Sequence, residues 1–279
     1  MTEPANGRGA LLFSARGVGK AFGPNVLFKD ASLDVYTGET LAIIGESGSG
    51  KSVFLKMLIG LLETDEGEIL FKGDRIGDMD SDGLQKLHRQ VGYVFQNDAL
   101  FDSMPIVENV GYAMREHTNA SDEEIRARAK VCMEMVGLKQ HVLDLYPASL
   151  SGGMRKRAAL ARAIAIEPEV ILYDEPTQGL DPQNITRIAE MIEALQRDLQ
   201  VTSVVVTHDL RTAFGVSNRI VMLDDQRFQY EGTPEEMMMS PETAVREFID
   251  EAMDELRELF ERGSLGSEIP VAPEPAPTA

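Results

Sequence analysis

Cysteine is nearly absent. Cys132 stands alone in 279 residues, so no disulfide can close within the chain, which fits a reducing compartment. Long apolar runs are also missing. No stretch of 18 or more apolar residues occurs, because Lys56 interrupts the richest one, and the first residues lack the apolar core of a secretion signal. The expectation is a soluble, cytoplasmic chain that reaches a membrane only through a partner. Basic charge is scarce too: 27 Lys and Arg against 46 Asp and Glu leave a net charge of −19, which argues against a general nucleic-acid surface. What remains is ordinary globular composition, 43% hydrophobic and 26% charged, with enough length for a sizeable core. Cys132 falls in a helical stretch and reads as a small buried apolar residue.

The most informative stretch is LAIIGESGSGKS, residues 41–52. A strand-like apolar run breaks at Gly45, continues through Glu46, Ser47, Gly48, Ser49 and Gly50, and then Lys51 and Ser52 open a helical pattern over 53–62. This is GxxxxGK[ST] between a strand and a helix. The glycines let successive backbone N–H groups converge, and the helix N-terminus adds positive dipole at the same place. The arrangement predicts a nucleoside-triphosphate site, with Lys51 on the terminal phosphates and the Ser52 hydroxyl as a magnesium ligand.

A second stretch, VILYDE at 170–175, is an apolar strand ending in two carboxylates, a poor structural choice without a cation. Asp174 is expected to hold the magnesium ion and Glu175 to polarise the attacking water as general base. A third, LSGG at 150–153, opens a basic helix over 154–166 with Ser151 as its N-cap. The chain therefore has two helix N-termini suited to phosphate, about a hundred residues apart, and one triphosphate fully occupies only one of them.

Around these motifs, strands are expected near 11–15, 31–35, 67–72, 91–95, 170–173, 202–206 and 220–223. Helices are expected near 84–90, 184–199 and 209–216. Continuous apolar strands alternating with helices imply a buried, mostly parallel sheet. From Asn97 to about 165 no strand pattern appears; the segment reads as a helical sub-domain inserted in the α/β core, with a Ser121–Glu124 capping box. Residues 241–262 form a last amphipathic helix (Val245, Phe248, Ile249, Ala252, Met253, Leu256, Leu259 and Phe260 on one face). The Pro-rich acidic end, 263–279, is expected to be disordered.

GESGSGKS, Gln96, LSGGM, ILYDEP, GLDP and His208 occur in the order and spacing of ATP-binding-cassette ATPases, and the resemblance covers residues 11–235. It implies an α/β P-loop NTPase fold of RecA-like type with N-terminal antiparallel strands, a nucleotide-binding domain spanning about 1–240, and ATP with Mg2+ as ligands. It implies a head-to-tail homodimer in which Ser151, Gly152 and Gly153 of one copy close the ATP held by Lys51 of the other. Gln96 would sense the metal and the nucleophilic water, Asp181 would lie in the loop coupling the two sites, and His208 would contact the γ-phosphate. Phe22, upstream of the phosphate loop, either stacks on adenine or packs on the core. Two positions depart from the family pattern: Met154 replaces the usual Gln after LSGG, and Gln178-Gly179 replaces the commoner Ser-Ala before Leu180-Asp181.

The phrasing of GESGSGKSVFLKMLIGLL, of FQNDALFDSMPIVENVGYAMREHT and of LSGGMRKRAALARAIAIEP resembles the ATPases of Mla- and Mce-type lipid transporters. That implies phospholipid movement through a separate permease docking near 97–115, a periplasmic lipid-binding partner, and a place on the cytoplasmic face of the inner membrane. Phe101, Met104, Pro105 and Ile106 are the apolar cluster that either forms the docking socket or packs in the core. An importer of a small solute such as an amino acid is the competing reading.

Overall fold

The computed structural model describes residues 8–261, with side chains described as far as Ala252. It divides into two units, 1–240 and 241–279.

The first unit is built on two sheets. β1 (Leu11–Phe22), β2 (Asn25–Tyr36), β4 (Glu66–Phe71) and β5 (Asp74–Arg75) make an antiparallel sheet in the order β2-β1-β4-β5. The second sheet runs β10-β9-β3-β8-β7-β6, comprising β3 (Thr40–Ile44), β6 (Val91–Val94), β7 (Val170–Asp174), β8 (Thr202–Val206), β9 (Arg219–Asp224) and β10 (Arg227–Gly232). Five of its strands pair in parallel, and β10 closes one edge antiparallel to β9. Every residue of β3, β7 and β8 is buried, as continuous apolar strands of a covered parallel sheet must be.

The two-residue period of those strands divides the molecule into two cores. Val170, Leu172, Val204 and Val206 face a core shared with β1, β2 and α1 (Lys51–Leu58). Ile171, Tyr173 and Val205 face the other, built with Ile188, Ile192 and Leu195 of α6 (Pro182–Leu199) and with the segment between β6 and β7. No strand occurs in that segment. It holds α3 (Ile106–His117), α4 (Asp122–Met135) and α5 (Gly152–Ile164), while α2 (Ser81–Gln90) precedes β6. The capping box at Ser121 and Glu124 forms, and the Ser151 hydroxyl accepts from Met154 N at 3.3 Å as the N-cap of α5. Cys132 is fully buried, and burial raises its thiol pKa, so it packs as a small apolar group.

The expected elements are present but their ends move. β1 and β2 run longer than the short strands expected, because a bulged twelve-residue hairpin carries polar residues along its open face. β10, the short α7 (Leu210–Val216) and α8 (Pro234–Met238) complete the unit; β10 and α8 carry no strong apolar pattern in the sequence. In the second unit, α9 spans Thr243–Glu261. Met253, Leu256, Leu259 and Phe260 of the expected apolar face, and the tail 263–279, lie outside the described side chains.

Arg219 joins the two sheets. It is 5% exposed and forks onto Glu39 at 2.7 and 3.0 Å, donates to Glu231 at 2.9 Å and to the Asp34 carbonyl at 2.5 Å, and lies over the Tyr36 ring. Arg8 meets the same Glu231 at 3.1 Å, but from the surface. Arg219→Ala should therefore cost about 3–5 kcal/mol in denaturant unfolding, because it leaves the largely covered Glu39 carboxylate, 11% exposed, without its cation. Arg8→Ala should cost under about 1 kcal/mol. Equal losses would contradict this division of labour.

Candidate functional site

The parallel register brings three strand ends together. Ile43 lies beside Val206, and Val206 beside Asp174, so the residues following β3, β7 and β8 emerge side by side. Crevices of this kind, at the carboxyl ends of parallel strands, are where open α/β sheets bind ligands. The turn after β3 depends on glycine twice. Gly45 has φ 153°, and a Cβ there would lie 2.4 Å from the Leu223 carbonyl; Gly50 has φ 108° and is pressed by the Phe28 ring. Phe28, Phe54 and Phe228 pack together beneath it, seating the N-terminal sheet against the loop.

Lys51 opens α1 and is 4% exposed. Its ammonium group donates to the carbonyls of Gly45 and Glu46, both at 2.8 Å, and lies 3.9 Å from Glu175 Oε1. Burial lowers its pKa, opposed by the charges of Glu175, Asp174 and Glu46. Gly50, the N-cap of α1, offers no side-chain acceptor to the first turn, and Ser49 Oγ in the same loop is buried without a hydrogen-bond partner. A glycine-bearing loop at an uncapped helix N-terminus, with an orphaned hydroxyl and a buried cation, fits a phosphate chain.

Ser52 Oγ donates to Asp174 Oδ1 at 2.5 Å, and the Tyr93 hydroxyl donates to Asp174 Oδ2 at 3.0 Å. Burial and the neighbouring carboxylate push the Tyr93 pKa up, so it remains a phenol donor. Ser52 and Asp174 are hard oxygen donors of the kind Mg2+ takes alongside water and phosphate. Among the described residues no three of His, Cys, Asp and Glu converge as a protein-only metal cage.

Glu175 is 7% exposed and sits in the left-handed region at φ 46°. A non-glycine residue held there costs on the order of 1 kcal/mol, and such strain clusters at functional sites. Its carboxylate meets His208 Nδ1 at 2.9 Å, and that hydrogen bond, against some desolvation, raises the His208 pKa.

The remaining predicted residues are placed as follows. Gln96 is not bonded to Ser52 or Asp174; its side-chain nitrogen donates to Gln178 Oε1. Ser151 caps its own helix, and none of the hydrogen bonds found joins it to the phosphate loop of the same chain. Gly153 packs beside Asn184 of α6, and the Asp181 carboxylate caps α6 by accepting from Asn184. Phe22 is 48% exposed with the Lys20 ammonium 5.4 Å from its ring centre, so it is not a core residue. Of the apolar cluster near 101–106, Ile106 is in the core while Phe101 is 40% exposed against Tyr112. Asn109, fully buried, holds that loop through Phe101, Met104 and Pro105.

No sequence motif marks Tyr93 or Lys156 as part of the site. Tyr93 needed the strand register, which aligns it one residue before Val94↔Tyr173. Lys156 looked like one of several basic residues on α5, yet it is 5% exposed and reaches back to the Gln96 carbonyl and to Asp98 at 3.2 Å.

This geometry defines a P-loop nucleotide site, and comparison gives its family. A family model described as ABC transporter matches residues 28–178, more than half of the chain. A sulfate/thiosulfate import ATP-binding protein, CysA of Bradyrhizobium diazoefficiens, is 40% identical over 88% of this chain and 70% of its own length. The intermembrane phospholipid transport ATP-binding protein MlaF of Haemophilus influenzae is 36% identical over 86% of this chain and 94% of its own. Among solved structures, the dimeric post-hydrolysis state of the ATP-binding cassette MJ0796 with ADP and Pi superposes with a TM-score of 0.74. It is 33% identical and covers 80% of this chain and 99% of that one. The chain belongs to the ABC transporter family: it is an ATP-hydrolysing cassette that works with ATP and Mg2+. ABC ATPases pair with one another and with membrane permease subunits. No helix among the described residues is long and apolar enough to cross a membrane.

The sign of the His208 shift makes a test. While Glu175 is ionised, its favourable contact with His208 is fully present below the ordinary histidine pKa and is lost as pH rises through the raised His208 pKa. An NMR titration of the nucleotide-free chain should put the His208 midpoint above the ordinary value of about 6.5. In Glu175→Gln it should fall back toward that value. A midpoint unmoved by the substitution would contradict the pairing.

Proposed function

We propose that the chain is the energising subunit of a phospholipid-transporting ABC system, working as a homodimer under a separate permease. The observation that supports the lipid assignment best is the likeness to the MlaF relatives, 36–37% identical over 86–88% of this chain. It is read together with the motif phrasing around the phosphate loop, the glutamine and LSGGM. The sulfate-importer relatives, up to 41% identical, favour the second reading, a small-solute importer.

In this reading, Lys51 leaves the Gly45 and Glu46 carbonyls for the terminal phosphates, where a buried ammonium stabilises charge that water would screen. Glu175 takes a proton from the attacking water, and His208 holds Glu175 in position and contacts the γ-phosphate. Ser52 and Asp174, with Gln96, would hold Mg2+, which neutralises charge on the phosphate oxygens. Loop residues 45–50 cradle the phosphates, Phe22 offers an exposed ring for the adenine, and Ser151 to Gly153 and Asp181 of a second copy complete the site. Phe101 and its neighbours within 97–115 meet the permease, which places the chain at the cytoplasmic face of the inner membrane, with a periplasmic lipid-binding partner beyond it.

Glu175→Gln should keep ATP affinity and lower turnover about 10²–10⁴-fold, as loss of a general base does; rapid hydrolysis by that variant would overturn the assignment. Lys51→Ala should lose ATP binding in equilibrium dialysis, and unchanged binding would remove the phosphate-loop reading. Purification of the intact complex from native membrane should recover a permease with bound phospholipid. Recovery of a soluble solute-binding protein instead would favour the importer.

A further inference from the structure

Gln96 is held at two points. Its carbonyl accepts from the buried Lys156 ammonium of α5, and Lys156 also pairs with Asp98 at 3.2 Å. Asp98 and Ala99 follow in the left-handed region, at φ 60° and 48°, and Arg162 of the same helix donates to both of their carbonyls at 2.8 and 2.6 Å. The backbone around Gln96 is therefore pinned to α5 by charge-assisted bonds. The side chain is the part left to move, and it is engaged with Gln178, three residues after Glu175. Gln178 is exposed, and its side chain has no other hydrogen bond found in the structure. It is also one of the two positions where the sequence departs from the family pattern. A serine there, two bonds shorter, would not reach Gln96.

We propose that Gln178 is a positioning residue that captures the Gln96 carboxamide when the site lacks nucleotide, so that ATP entry must break this bond before Gln96 can turn toward the metal and water. The inference rests on the proposed role of Gln96 at that site. Its consequence is conformational: the fraction of chains with Gln96 free sets the apparent affinity for MgATP. One hydrogen bond of ordinary net strength shifts that fraction by about three- to tenfold.

The test uses the full chain with Gln178→Ser, which removes the reach, and Gln178→Glu, which keeps an acceptor for the Gln96 amide. In Gln178→Ser, MgATP should bind about three- to tenfold more tightly and KM should fall in proportion with kcat unchanged. The side-chain amide resonances of Gln96 in the nucleotide-free chain should move. Gln178→Glu should keep the wild-type affinity. If the Gln96 resonances stay where they were, or if they move while KM and affinity do not, the proposal is overturned. Gln96→Ala separates the underlying reading: full turnover by that variant would refute the metal-sensing role of Gln96, whatever the resonances in Gln178→Ser show.

Discussion

A buried ammonium group sets the terms of this structure. Lys51 Nζ lies almost out of solvent, where an unpaired charge costs several kcal/mol, and two carbonyls, the Glu46 charge and the strand-end carboxylates of Glu175 and Asp174 offset that cost. Those carboxylates are in reach only because β3, β8 and β7 run parallel in register and end together. The sheet order, the glycine turn at Gly45 and the strained backbone of Glu175 all serve the same placement.

The second constraint is the separation of the two cores by the sheet. Alternate residues of β7 and β8 look into different clusters, one under the N-terminal sheet and one under the helical segment. The phosphate loop belongs to the first and the helix carrying LSGG to the second. Within one chain, Ser151 satisfies its own helix and Asp181 satisfies α6. In the proposed reading a second copy of the chain brings Ser151 and Asp181 to the nucleotide, in keeping with the pairing of ABC ATPases.

The parts of the site that sit on contiguous residues were legible in the sequence. GESGSGKS, VILYDE and LSGG carry their own strand, turn and helix signals, and Asp174 lying beside the phosphate loop follows from strands that had to be parallel, whereas the contact of His208 with Glu175 needed the structure. Contacts that depend on register or on side-chain reach were not. Tyr93 on Asp174, Lys156 on the Gln96 carbonyl and Gln178 on the Gln96 amide join residues 60 to 82 positions apart with no local pattern to mark them. The fold edges were missed for a similar reason: β10 alternates exposed and half-buried residues, and its pairing with β9, not its composition, makes it a strand.

The most direct measurement of the central claim is a structure of Glu175→Gln with MgATP. In it Lys51 Nζ should have left the Gly45 and Glu46 carbonyls for the terminal phosphates, Ser52 and Asp174 should face the metal, and Ser151 of a second copy should close the site. Nucleotide bound elsewhere, with Lys51 still on its two carbonyls, would contradict it.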